Sequence, residues 1–362
     1  MLNLNLNGQI SHIHLQQNWQ NLPAALSAAG LTGKSAVIIT DKTVARLYLK
    51  EVSSILSSHF QNITSHIMKP GEASKNFTAL QDVLTTFHRA GLDKTSTILA
   101  LGGGVVSDLA GLAAAIYMRG IPYVVLPTTL LAQVDSSIGG KTGIDFLGVK
   151  NLVGCFHQPS VVYSNPAALS SLPHRDYVSG LAEVVKYGII KDNNLFDILW
   201  EHRRKIAVID QAILEKIIRA CCMAKADIVQ LDERDTGPRQ ILNYGHTFGH
   251  AIESLCNFTM PHGHCVALGI MCAAAYSSSS GGMSKDEVEK IRALLSFFGL
   301  PVILPKTFAL KAQDIYNMMG KDKKAKDGAI TLIISHSIGT AQIHKNAKKD
   351  AVLAAIQTIM KE

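Results

Sequence analysis

The sequence predicts an α/β domain with a doubly wound parallel sheet, followed by a mainly α-helical domain. Three observations carry that reading: short apolar runs alternate with helical patterns in the first half, a glycine-rich turn closes one of those runs, and beyond Leu172-Pro173 the patterns are almost wholly helical. A chain of 362 residues has room for two domains, here 1–170 and 171–362, and two domains leave a cleft.

Residues 36–40, 97–101 and 123–126 are short, apolar and closed by turn-formers, as strands buried on both faces are. Helical periodicity over 77–90 separates the first two, and a helical run over 109–118 separates the next pair. The start, 1–15, alternates Leu and Ile with Asn and His and has neither the basic nor the apolar segment of a secretory leader. Later helical patterns cover 180–191, 211–229, 246–255, 264–277 and 285–298. A small polar loop over 277–282 and a strand-like run over 329–335 complete the second domain.

With 47% hydrophobic and 17% charged residues the composition is that of a globular protein. Apolar runs such as 265–276 fall short of the roughly 20 residues needed to cross a bilayer, so a cytoplasmic protein without membrane contact is expected. Six cysteines (Cys155, Cys221, Cys222, Cys256, Cys265, Cys272) have no C-x-x-C spacing, which points to free thiols. The net charge of +7 concentrates near 321–326 and 345–349 without interleaved aromatics, so no nucleic-acid partner is expected. Solvated surface and a small anionic substrate both account for that charge.

The run 97–101 leads into Gly102-Gly103-Gly104-Val105-Val106-Ser107-Asp108 and then a helix. Glycines there let a diphosphate approach peptide N–H groups at a helix start, although a strained turn in any α/β sheet has the same pattern. Asp41 ends an earlier strand, as a ribose-binding carboxylate or as a helix cap.

Further on, Asn243-Tyr244-Gly245-His246-Thr247-Phe248-Gly249-His250 sets two imidazoles four apart on one helix face, and His262 and His264 follow. Glu183 and Lys186 lie three apart in an otherwise apolar helix. An i,i+3 pair at a surface is one reading, but a charge among Leu, Ala and Val is costly unless paired or bound to metal. One carboxylate and two imidazoles suit Zn²⁺ and leave a position open.

Taken together, Gly102–Asp108, Leu126-Pro127-Thr128-Thr129-Leu130, the run 133–142, the run 180–188, the run 242–253 and Asp322-Lys323-Lys324 resemble the 3-dehydroquinate synthases. The resemblance spans 41–324 and implies an NAD-binding α/β domain, a helical metal-binding domain, an active site between them and a homodimer. It implies Glu183, His246 and His262 as ligands of one divalent metal, Zn²⁺ or Co²⁺. NAD contacts would come from Asp41, Glu72, Lys75, Gly103, Gly104, Val105, Asp108, Thr128, Thr129 and Lys150. Arg119, Asp135, Lys141, Asn151, Lys186, Lys225, Arg239, Asn243, His250 and Lys323 would meet a small phosphorylated substrate carrying a carboxylate. The implied reaction is cyclisation of 3-deoxy-D-arabino-heptulosonate 7-phosphate to 3-dehydroquinate with loss of phosphate, a step of aromatic amino acid biosynthesis.

Alternatives are a cyclase acting on sedoheptulose 7-phosphate or glucose 6-phosphate, and a metal-dependent alcohol dehydrogenase. Arg239 and Lys225 favour the acid substrate. The sequence departs from the family at Pro70, Ser107, 145–149, Asp235 and His264, so a reshaped loop at 145–149 and altered hydrogen bonding behind the metal are expected.

Overall fold

A computed structural model describes residues 2–6, 9–320 and 330–360. The chain divides into two compact units, Met1–Leu172 with Lys225–Glu233 and Pro173–Ala224 with Arg234–Glu362. Lys323 lies outside the described residues.

In the first unit the strands are β1 (Leu2–Leu6), β2 (Gln9–Leu15), β3 (Ser35–Asp41), β4 (Asn62–Met68), β5 (Thr97–Gly102) and β6 (Tyr123–Pro127), then a hairpin of β7 (Lys141–Phe146) and β8 (Val149–Phe156), and finally β9 (Val161–Ser164). The main sheet has the order β1-β2-β9-β6-β5-β3-β4 and is parallel except for β1. Every residue of β5 is buried, which is why its sequence is a continuous apolar run rather than an alternation. On one side Trp19, Leu22, Leu26, Val52 and Leu56 join Ile38, Leu99, Leu101 and Val124 in a single core.

From β3 the chain steps outward to β4 and returns to β5 on the other side of β3. Strand order therefore reverses between β3 and β5, and a crevice opens at their carboxyl ends, where doubly wound sheets bind ligands. Thr40 lies beside Leu101 in register, so Asp41 and Gly102 flank that crevice.

The second unit is mainly helical, with one hairpin of β10 (Leu332–Ser337) and β11 (Thr340–His344). Its central helix, His174–Ile190, is buried from Tyr177 to Ile190, consistent with an apolar surface all round. Against it packs the helix His262–Ser279, which also packs on the helix His246–Leu255. These approaches need glycine: a Cβ on Gly263 would stand 1.9 Å from the Ser179 carbonyl oxygen, and one on Gly269 2.0 Å from that of Gly245.

Candidate functional site

In the α/β unit the chain leaves β5 through Gly103, the N-cap of the helix Gly104–Ile116. Thr128 N–H donates to the Gly102 carbonyl at 3.0 Å, and a Cβ on Gly103 would stand 3.0 Å from Thr129 Cγ2. Gly103, Gly104, Val105, Thr128 and Thr129 are thus gathered at the carboxyl ends of β5 and β6. First-turn N–H groups and the helix dipole favour an anion there, and the absence of side chains on Gly103 and Gly104 leaves the backbone open to a diphosphate. Ser107 is accommodated by folding its hydroxyl onto the Gly104 carbonyl at 3.0 Å. Asp41 does act as a helix cap: Oδ1 accepts from Thr43 N–H at 2.7 Å and Val44 N–H at 3.1 Å.

Beside the turn, the buried Lys75 donates from Nζ to Asp108 Oδ2 at 2.5 Å and to Asn151 Oδ1, with Glu72 Oε1 at 3.9 Å. Burial pulls the Lys75 ammonium down, but Asp108 and Glu72 outweigh it and raise its pKa. Burial also pushes the Asp108 carboxyl up against the pull of Lys75. Lys141 and Lys150 occupy the β7–β8 hairpin. Lys225 belongs to this unit rather than to the helical one, and its Nζ donates to the Asp135 carbonyl at 2.8 Å and to Asp135 Oδ1. Arg119 stands apart, in a left-handed turn (φ 66) before the amino end of β6 and so at the opposite end of the strands from the glycine turn.

In the helical unit Glu183 is 1% exposed. Its Oε1 lies 3.3 Å from His246 Nε2 and 3.5 Å from His262 Nε2, and its Oε2 2.5 Å from Lys186 Nζ. His250 completes a cluster with His246 and His262, whose ligating nitrogens lie within 4.8 Å of one another. Gly245, left-handed at φ 76, starts the helix carrying His246 and His250, and its carbonyl accepts from Gly249 N–H at 2.8 Å.

One Glu183 oxygen faces both imidazoles at a separation that suits ligands of a shared ion. Donors held about 2.0–2.1 Å from a tetrahedral ion stand about 3.4 Å apart, close to the observed 3.3 and 3.5 Å. Behind each imidazole is an acceptor that sets the tautomer: the Tyr244 carbonyl 3.1 Å from His246 Nδ1, and Glu253 Oε2 3.4 Å from His262 Nδ1. The donor set therefore fits a divalent cation. Burial opposes protonation of His262, yet Glu183 and Glu253 outweigh it and push its pKa up to about 9. A metal must displace that proton.

Glu253 escaped the sequence reading, although it sits seven residues after His246 and three after His250, on their side of the helix. His264, where an acid is usual, keeps Nε2 buried without a hydrogen-bond partner among the described residues, and Glu253 is the carboxylate behind His262. Arg239 and Asn243 lie in the short helix Pro238–Asn243 that leads to His246, and Arg239 is 2% exposed.

An α/β unit with a cradle at its switch point and a helical unit with a carboxylate–imidazole centre have a fold found in sugar-phosphate cyclases and in alcohol dehydrogenases. Among solved structures, 2-epi-5-epi-valiolone synthase of Streptomyces hygroscopicus, with NAD⁺ and Zn²⁺ bound, has a TM-score of 0.88 at 25% identity and 98% coverage of both chains. The iron-containing alcohol dehydrogenase of Thermococcus thioreducens shares the fold at a TM-score of 0.70 and 16% identity, covering 96% of this chain and 98% of its own.

The models of the N-terminal and C-terminal parts of 3-dehydroquinate synthase match residues 65–179 and 180–325. The 3-dehydroquinate synthase of Desulforamulus reducens is 42% identical over 90% of each chain, and that of Pelobacter propionicus 45% identical over 86% of each. The chain belongs to the 3-dehydroquinate synthase family.

Proposed function

We propose that the protein converts 3-deoxy-D-arabino-heptulosonate 7-phosphate to 3-dehydroquinate and phosphate, as a carbon–oxygen lyase of the shikimate pathway that works as a homodimer in the cytoplasm. The observation that carries this is the Glu183–His246–His262 donor set, at the edge lengths of a tetrahedral site, in a chain of this family. Bound NAD would supply reversible hydride transfer at the substrate C5 alcohol, and a divalent cation, Zn²⁺ or Co²⁺, held by Glu183, His246 and His262, would supply polarisation of the oxygens being transformed.

The chain's own residues bind, orient and stabilise charge. Gly103, Gly104, Val105, Thr128 and Thr129 cradle the dinucleotide, with Asp41, Glu72, Lys75, Asp108 and Lys150 around it. Glu183, His246 and His262 hold the cation. Arg239, Lys186, Lys225, Lys141 and Lys323 supply the positive charge that a substrate bearing both carboxylate and phosphate requires. Asp135, Asn151 and Asn243 fix the hydroxyl groups, and His250 stands by the reacting atoms as a polar or proton-relaying group.

The test is phosphate release from the heptulosonate phosphate, with sedoheptulose 7-phosphate and glucose 6-phosphate as controls. Turnover should need only traces of NAD⁺. Preference for a sugar phosphate lacking the carboxylate, or stoichiometric accumulation of NADH, rejects the reading.

A further inference from the structure

We propose that Asp145 is a positioning residue: by accepting the Asn151 amide it holds a bulge in β8 that delivers the Asn151 side chain to Lys75. It thereby ties a substrate-side group to a cofactor-side one, and those two roles rest on the reading above. β7 and β8 pair Ile144 with Val153 and Phe146 with Val149, so residues 150–152 lie opposite Asp145 alone. The hairpin turn, Leu147 at φ 50 and Gly148 at φ 75, is a tight two-residue turn that cannot absorb the surplus. The surplus is taken up as a bulge with Asn151 left-handed at φ 52. Asparagine tolerates that conformation better than most residues, and bulges beside functional sites re-aim a side chain.

A closed ring of hydrogen bonds fixes the result. Asn151 N–H donates to Asp145 Oδ1 at 2.8 Å, Asp145 N–H donates to the Lys75 carbonyl at 2.8 Å, and Lys75 Nζ donates to Asn151 Oδ1. Lys75 is anchored in turn by Asp108 Oδ2 at 2.5 Å. Asn151 is exposed and Asp145 half-buried, so the ring, not packing, sets the Asn151 side chain. A non-glycine residue left-handed at a functional site persists only where its surroundings over-determine it. Here the departure at 145–149 leaves the one residue the clasp needs, an acceptor at 145.

Two variants test it. Asp145→Ala removes the acceptor, and Asp145→Asn keeps an acceptor oxygen while removing the charge. Hydrogen exchange at the Asn151 amide should quicken about tenfold in Asp145→Ala and stay near wild type in Asp145→Asn. KM for the heptulosonate phosphate should rise about tenfold in Asp145→Ala while kcat moves less, with recovery in Asp145→Asn. A merely structural role would lower active enzyme and leave KM and Asn151 exchange alone. Unchanged Asn151 exchange in Asp145→Ala overturns the clasp whatever the substrate, as does exchange equally fast in both variants. Faster exchange with an unchanged KM overturns the positioning role. A wild type inactive on the heptulosonate phosphate, with faster exchange in Asp145→Ala, overturns the proposed function and leaves the clasp standing.

Discussion

The cradle in the α/β unit and the centre in the helical unit are built from different materials. Around Gly103 the functional surface is backbone, and its shape depends on side-chain atoms that are missing: the Gly103 Cα already lies so near Thr129 that a Cβ would stand 3.0 Å from Cγ2. Around Glu183 the functional surface is side-chain heads, with two imidazole nitrogens 3.3 and 3.5 Å from one carboxylate oxygen and oriented from behind by Tyr244 and Glu253. A backbone site is broken by adding atoms and a side-chain site by removing them. That asymmetry can be tested.

The largest effect should come from removal in the helical unit. His246→Ala removes one of the three donors and should leave the purified protein with little metal by elemental analysis. Activity should fall by roughly a thousandfold, since a bound metal contributes several kcal/mol at the transition state. Glu253→Gln, which weakens only the support behind His262, should lower metal affinity about 10–100-fold in competition with a chelator. Full metal occupancy with normal turnover in His246→Ala would reject the donor set.

Addition in the α/β unit comes next. Gly103→Val must push Thr129 aside, and overpacking of this kind costs about 1–3 kcal/mol, or roughly ten- to a hundredfold in NAD affinity. Metal content should not change. Calorimetric titration with NAD⁺ reads the effect directly, and unaltered affinity would show that the dinucleotide does not approach this backbone.

Arg239→Lys is subtler, because it keeps the charge and alters only its shape. If the buried guanidinium grips a carboxylate through two parallel N–H groups, lysine cannot reproduce the fork. Loss of about 1.5–3 kcal/mol follows, roughly ten- to a hundredfold in kcat/KM, with metal and NAD binding intact. Equal kcat/KM values for the two proteins would remove carboxylate recognition from Arg239.

The two regions also differ in how legible they were. Glu183 could be singled out because a carboxylate inside Leu, Ala and Val breaks an apolar pattern, and His246 and His250 because their spacing is helical. Strands β3, β5 and β6 were legible as unbroken apolar runs. Edge strands were not: β4 is mostly exposed or half-buried, and its sequence, Asn-Ile-Thr-Ser-His-Ile-Met, follows no clean period. The alternation over 1–15 belongs to β1 and β2, an antiparallel pair at the sheet edge. Glu253 was missed because one acid near a helix end usually faces water, and its burial at 3% comes from tertiary packing. Lys225 is a similar case: its helix begins in the helical unit, but Lys225 itself belongs to the α/β unit, where its Nζ is satisfied by Asp135. Asp145 and Asn151 meet across a bulge, and no sequence period encodes a bulge.

The smallest effect serves as a control on all of these. The helix Lys285–Phe297 in the helical unit opens with a capping box, in which Ser284 Oγ accepts from Glu287 N–H at 3.2 Å and Glu287 Oε2 accepts from Ser284 N–H at 2.9 Å. Glu287 Oε1 also accepts from Ile338 N–H at 2.9 Å, tying the helix to the β10–β11 hairpin. Ser284→Ala should cost about 1 kcal/mol, a drop of roughly 2–4 °C in melting temperature, with no change in metal content. Partial burial pushes the Glu287 carboxyl up, but the Ile338 and Ser284 N–H groups outweigh it and hold it below the usual 4.5. Its contribution is therefore complete above about pH 4.5 and is lost as the pH falls through the lower folded value. Glu287→Gln should remove that part of the acid dependence of the melting temperature while leaving the neutral-pH centre loaded. If Ser284→Ala instead sheds metal as His246→Ala does, loss of metal would report general loosening of the helical unit, and the contrast between a site broken by removal and one broken by addition would no longer hold.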